Sequence, residues 1–173
     1  IHAQEVPPFC GDTQWSNMYL AYETLSEGMK KLIDRLICIH DSNHSGYGNF
    51  RSMRGIDAEP IVREHPLVCV HPVTGKKSLL LHRRHIHQFK GMTREESVPI
   101  LAFLFDHAEN PDFACRFRWK PDAVAFWDNR CTQHRVQADY FNDVRGFTPV
   151  RRRMHRVTVK GRRPVGAGEQ VTL

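Results

Sequence analysis

At 173 residues, with 40% hydrophobic and 25% charged side chains, the chain is long enough to bury one core and has the composition of an ordinary globular domain. No apolar run approaches the roughly 20 residues that cross a bilayer, no charged-apolar-small leader opens the chain, and five irregularly spaced cysteines without a Cys-x-x-Cys indicate neither a zinc site nor a disulfide framework. A soluble protein of the reducing cytoplasm is expected, and much of its net charge of +6 sits between Arg151 and Arg163, where seven Lys or Arg occur with no acid.

Residues 1–6 read as a strand. Residues 16–37 read as a helix: Ser16 can cap its start, and Tyr19, Tyr22, Leu25, Met29, Leu32, Ile33 and Leu36 recur at spacings of three and four. His44 to Glu59, with three glycines and little apolar content, reads as a mobile loop of the kind that lines or covers a site. Strands are predicted around Leu67–Val70 and Ser78–Leu81. His82, His85 and His87 then make a histidine-rich strand, in which His85 and His87 share a face, either solvated or able to bind metal adventitiously. A helix is predicted from about Arg94 to His107, with Val98, Leu101, Leu104 and Phe105 on its apolar side and Asn110-Pro111 as its breaker. His107-Ala108-Glu109 reads as the end of that helix, its histidine near the negative end of the dipole, and not as a ligand pair. Further strands are predicted near Cys115–Trp119, Ala123–Trp127, Gln133–Val136 and Met154–Val159. With no repeat and no low-complexity linker, residues 1–173 form a single domain of α+β class, a β-rich core with helices packed outside.

The most informative stretch is Phe126-Trp127-Asp128-Asn129-Arg130-Cys131-Thr132-Gln133-His134. An apolar run enters a polar turn at Asp128-Asn129, where short side chains bond back to the backbone, and a second short strand carries His134 inward. Eighteen residues on, Arg152, Met154, Arg156 and Thr158 share one face of a period-two strand, and His155, Val157 and Val159 share the other. Two guanidinium groups roughly 13 Å apart then point the same way. They suit two anions bound on either side of a metal, since Arg grips a carboxylate with two parallel hydrogen bonds. The remaining cations, Arg151, Arg153, Lys160, Arg162 and Arg163, read as a solvated edge. Nucleic acid is the rival partner for that edge, but no recognition helix, zinc finger or RNP pattern accompanies it, so none is expected.

In the same order along the chain stand Pro7-Pro8-Phe9-Cys10-Gly11-Asp12-Thr13, Trp15-Ser16-Asn17-Met18-Tyr19, His65-Pro66-Leu67-Val68, His71-Pro72 with Thr74-Gly75-Lys76, Gly91-Met92-Thr93-Arg94-Glu95-Glu96-Ser97, and the stretches already described. Together, from about Ile1 to Pro164, they resemble the C-terminal half of the taurine dioxygenase (TauD/TfdA) family of Fe(II)/2-oxoglutarate enzymes, with Cys10 in place of the first glycine of a Gly-Gly-Asp-Thr segment. The resemblance implies a double-stranded β-helix, or jelly roll. It implies His134 as the distal iron ligand, binding as a neutral imidazole, Thr13 and Arg152 on the 2-oxoglutarate carboxylate, and Arg156 on the acid group of the substrate. The reaction implied is hydroxylation of a small organic acid (a sulfonate, alkyl sulfate or aryloxyalkanoate) beside its heteroatom, with O2 consumed and 2-oxoglutarate converted to succinate. Trp127 and Phe126 would wall the site or serve as ordinary core.

The sequence also departs from the family pattern. The family's iron is held by a His-x-Asp pair as well as the distal histidine, and that pair belongs upstream of Thr13, only twelve residues into this chain. The chain is therefore expected to be a fragment, inactive and a poor Fe(II) binder alone, with homo-oligomerisation of the full-length enzyme left open. The spacing from His134 to Arg152 exceeds the family's dozen or so through an insertion in Phe141–Pro149, which leaves Arg151, Arg152 and Arg153 as candidates; Arg152 is chosen as four before Arg156. Gly46 at the place of a pocket phenylalanine implies a roomier pocket, and His82 stands where asparagine is common. The alternative reading is a non-catalytic basic binding module, separable by whether the upstream sequence contains His-x-Asp.

Overall fold

Gly11 turns the chain with φ +74°, a left-handed conformation that glycine adopts without strain. In the computed structural model, which describes residues 1–42, 61–140 and 151–168, that turn separates strand β1 (His2–Glu5) from β2 (Thr13–Asn17). Two short helices follow, α1 (Met18–Glu23) and α2 (Glu27–Ile33). The single helix expected over 16–37 is thus divided. Asn17, not Ser16, caps α1 by accepting from the Tyr19 and Leu20 amides, and extended Ser26 restarts the chain by accepting from Met29. Ser16 lies in β2 and gives its hydroxyl to the Ala108 carbonyl at 2.7 Å. The spacing of apolar residues continues across this break, so periodicity alone does not reveal it.

Strands β3 (Ile37–Asp41), β4 (Val62–Pro66), β5 (Val68–Val70), β6 (Lys77–Leu79) and β7 (Ile86–Phe89) precede helix α3 (Arg94–Ala108). After it come β8 (Ala114–Phe117), β9 (Thr132–Val136) and β10 (Arg153–His155). They form four antiparallel sheets in the orders β1-β10, β8-β2-β9, β4-β3-β7 and β5-β6, with no closed barrel among the described residues. The loop expected at His44–Glu59, Gly46 within it, and the insertion expected at Phe141–Pro149 lie outside the described residues.

Three other expectations are corrected. Ala123–Trp127 is not a strand: Val124 makes one isolated bridge to His2, and among the described residues only three main-chain bonds, Ala3 to Ala123, Ala125 to Ile1 and the Ile1 amino group back to the Ala125 carbonyl, tie this segment alongside β1. The segment leaves a turn at Asp122 with φ +65°, and its Val124 and Phe126 side chains face outward, Phe126 being 92% exposed. The last strand covers Arg153–His155, not Met154–Val159, because β1 pairs with it only through His155, Met154 and Arg153. His85 lies in the turn before β7, and it and His87 are half-buried, not on a solvated strand face.

One core holds these pieces together. Met18, Ala21 and Tyr22 of α1, Leu101, Leu104 and Phe105 of α3, and Cys38, Val68, Leu79, Ile86 and Phe89 from the strands are all buried against one another. Buried Ser97 ties α3 to β7, its hydroxyl donating to the Thr93 carbonyl at 2.7 Å and accepting from the Phe89 amide at 3.1 Å. His107 ends α3 as expected and donates to the Ala21 carbonyl at 2.8 Å. No disulfide joins any of the five cysteines, and no described helix is long and apolar enough to cross a membrane.

Candidate active site

Strand β2 lies between β8 and β9, with Thr13 opposite Val136 and Phe117, and Trp15 opposite His134 and Cys115. Directly opposed residues of antiparallel strands share a face, so Thr13, Trp15 and His134 stand on one side of this sheet. Aromatic rings line that side in edge-on contacts: Trp127 to Trp15 at 5.1 Å, Trp15 to Phe117 at 6.1 Å, and Phe117 to Trp119 at 4.9 Å between centroids. Trp127 also packs on the His134 ring at 5.0 Å. Trp127 thus packs beside the histidine, whereas exposed Phe126 is neither wall nor core. Buried Thr13 accepts the Trp119 indole proton at 2.9 Å, which leaves its own hydroxyl proton to give.

Arg152 reaches this region from just before β10. Its Nε donates to the Gly11 carbonyl at 3.0 Å, and its guanidinium lies 5.5 Å above the Tyr140 ring. The Gly11 amide donates to Asp139 at 2.7 Å, while Asp12 pairs with Arg116 at 2.7 Å. A side chain at position 11 would place its Cβ 2.9 Å from Arg152 Cδ. The glycine therefore supplies both the turn and the room for the arginine, and the terminal guanidinium nitrogens have no partner among the described residues. Arg156 is exposed beyond the end of β10, yet its charge reaches His134. Burial first, and that charge second, hold the His134 imidazole below its ordinary pKa, so it stands neutral with a lone pair to offer. Arg151, Arg153, Lys160, Arg162 and Arg163 are all exposed, as a solvated edge requires.

Among the described residues, a metal would find on this face the neutral imidazole of His134, whose nitrogens no hydrogen bond engages, and the thiol of exposed Cys115 opposite Trp15. The Trp15 indole N–H on the same face is buried without a hydrogen-bond partner among the described residues. A buried donor in that state costs about 1–3 kcal/mol, and a ligand acceptor placed beside it would relieve it. That donor was not foreseen, because pairing depends on the neighbours that the fold supplies.

Of two further clusters, the first was not foreseen and the second was foreseen only for His82 and His85. His71, Asp128 and Cys131 bring potential ligand atoms within 4.8 Å of one another. Both His71 nitrogens are already engaged, however: Nδ1 accepts from the Val73 and Thr74 amides, and Nε2 meets Asp128 at 3.0 Å. Asp128 is further bound by Arg130, whose guanidinium holds its carboxyl well below the usual carboxylate range. The cluster is a hydrogen-bonded junction and not a coordination site. The second cluster is a row of imidazoles in which His40 faces His65 at 5.0 Å and His82 lies against His85 at 4.2 Å.

The sequence matches the Taurine catabolism dioxygenase TauD, TfdA family over residues 1–158. It is 34% identical to an alpha-ketoglutarate-dependent sulfate ester dioxygenase of Pseudomonas putida, over 96% of this chain and 56% of that protein. A taurine dioxygenase from Burkholderia xenovorans superposes with a TM-score of 0.69 at 38% identity, covering 80% of this chain and 46% of its own. AAD-2 in complex with Mn(II) and N-oxalylglycine superposes with a TM-score of 0.66 at 31% identity, covering 79% of this chain and 54% of its own. The chain spans about half the length of the curated relatives it matches.

Proposed function

Because the chain belongs to the Taurine catabolism dioxygenase TauD, TfdA family, we propose that the protein carrying it is an Fe(II)- and 2-oxoglutarate-dependent dioxygenase of small organic acids. The substrate class is a sulfonate, alkyl sulfate or aryloxyalkanoate, hydroxylated beside its heteroatom. The observation that carries this reading is the gathering of His134, Thr13 and Arg152 around the start of β2, with Arg156 close enough for its charge to act on His134. The sulfate ester dioxygenase among the relatives supports the substrate class, and the metal and N-oxalylglycine in AAD-2 support the cofactor pair. The domain would be one unit over residues 1–173, completing the jelly roll of its family, in a cytoplasmic enzyme.

In this reading His134 supplies one imidazole to the iron. The iron, when bound, supplies the activation of O2 that couples decarboxylation of 2-oxoglutarate to C–H hydroxylation. Arg152, already fixed through Nε to the Gly11 carbonyl, presents its terminal nitrogens to the distal carboxylate of 2-oxoglutarate, and the Thr13 hydroxyl donates beside it. Arg156 pairs with the acid group of the substrate. Trp127 holds the His134 ring and, with Trp15, keeps water from it.

The test is His134→Ala in the full-length protein. We expect bound iron and substrate-dependent succinate formation to be lost together, since a triad missing one member does not hold iron in the needed geometry. Near-normal turnover and iron content in that variant would overturn the assignment.

A further inference from the structure

We propose that His71, acting through Asp128, is a positioning residue for the imidazole of His134; this rests on the reading of His134 as the metal ligand. His71 is 5% exposed and lies just after β5. Its Nδ1 accepts from the amides of Val73 and Thr74, both at 3.2 Å, so the ring proton is on Nε2, which donates to Asp128 at 3.0 Å. The other side-chain bonds of Asp128 go to the amide and guanidinium of Arg130, inside its own turn. Among the described residues, His71 alone therefore ties the Asp128 carboxylate to another part of the fold.

What Asp128 holds bears on His134 from two directions. The preceding residue is Trp127, whose ring packs on the imidazole at 5.0 Å. The Asp128 carbonyl accepts from the Thr132 hydroxyl at 2.6 Å, and Thr132 opens β9, two residues before His134. The far end of the turn has its own anchors, Ser78 on the Arg130 carbonyl and Met18 on the Cys131 carbonyl, both at 3.0 Å. Those bonds leave the Trp127–Asp128 end to the His71 hydrogen bond, beside the packing of Trp127 on Trp15. An ion pair within the turn, such as that of Arg130, cannot orient the turn relative to the sheet.

Two substitutions separate the roles of the two nitrogens. His71→Asn keeps an amide oxygen where Nδ1 accepts the Val73 and Thr74 amides but is too short to reach Asp128. His71→Gln places an amide donor where Nε2 stands and keeps the Asp128 bond. In the full-length, metal-free protein, anaerobic calorimetric titration with Fe(II) alone is expected to show affinity weakened about tenfold in His71→Asn, with a thermal midpoint near wild type, and restored in His71→Gln. Wild-type affinity in His71→Asn, or a loss no larger than its loss of folded protein, would overturn the proposal, as would a folded His71→Gln that restores nothing. If His71→Asn does not fold, Asp128→Ser, which keeps an acceptor for the Arg130 amide but cannot reach His71, is titrated in its place, and wild-type affinity there overturns the proposal equally. His134→Ala is the control: tight Fe(II) binding by that variant would overturn the site reading itself, whereas its loss beside unchanged His71 variants would overturn only the positioning role.

Discussion

At the scale of single residues, Arg152 and Arg156 sit on the same arm of chain in different surroundings. Arg152 is half-buried, fixed to the Gly11 carbonyl and laid over Tyr140, whereas Arg156 is exposed. Arg152→Ala is expected to weaken 2-oxoglutarate by about 2 kcal/mol or more, close to thirtyfold, because a charge-assisted pair is lost from a partly desolvated place. Arg156→Ala should leave 2-oxoglutarate affinity near wild type and weaken the acidic substrate. Titrating both variants with both ligands checks this; equal effects on 2-oxoglutarate would mean that the two roles are misassigned. The motif order in the sequence was enough to single out Thr13, His134 and both arginines. It could not reveal the unpaired Trp15 indole or the His71–Asp128 bond, which joins residues 57 positions apart and exists only once two turns have been brought together.

At the scale of elements, α3 was legible because its start is encoded locally. Thr93 accepts from the Glu96 amide at 3.3 Å, and the Glu96 carboxylate accepts from the Thr93 amide at 2.8 Å, a complete capping box. Thr93→Ala should cost about 1 kcal/mol of stability, visible as a lower denaturation midpoint, while Glu96→Gln, which preserves the box, should cost less; equal losses would place the stabilisation elsewhere. For an opposite reason, strands β3 and β4 were not legible and β7 was read only as part of a histidine-rich strand from His82 to His87. Ile37-Cys38-Ile39-His40-Asp41 follows α2 with no Gly or Pro to end the helical spacing, and Val62–Pro66 and Ile86–Phe89 carry charged residues or histidine among few apolar ones. Their strand character comes from pairing with one another. Ala123–Trp127 errs the other way: its apolar composition suggests a strand, but among the described residues it has only a three-bond tie alongside β1.

Across the whole molecule, the sheet that was hardest to read also sets how the fold responds to acid. His40, on its central strand, is held near a pKa of about 4, chiefly by burial and then by the neighbouring His65, His82 and His85, against 6.5 for an unperturbed imidazole. His65 is lowered by burial and by Arg163 and Arg63, and His134 by burial and Arg156. Each of these groups binds its proton less readily in the folded chain than in the unfolded one. At neutral pH both states are deprotonated and stability is fully present. As pH falls below about 6.5 the unfolded chain takes up protons that the fold refuses, and stability declines until the folded groups titrate, near 4 for His40. One such group contributes a slope of at most about 1.4 kcal/mol per pH unit. Urea denaturation between about pH 7 and about pH 5 should therefore show falling stability, with a shallower fall in His40→Gln, which removes one of the titrating groups. Asp128 and Glu27 do not account for that difference, because Arg130 and Lys30 hold their carboxyls low and their contributions are lost only in stronger acid. A slope that His40→Gln leaves unchanged would mean that His40 accepts its proton as readily in the fold as out of it, and that the buried, unpartnered Nε2 is relieved by a solvent contact.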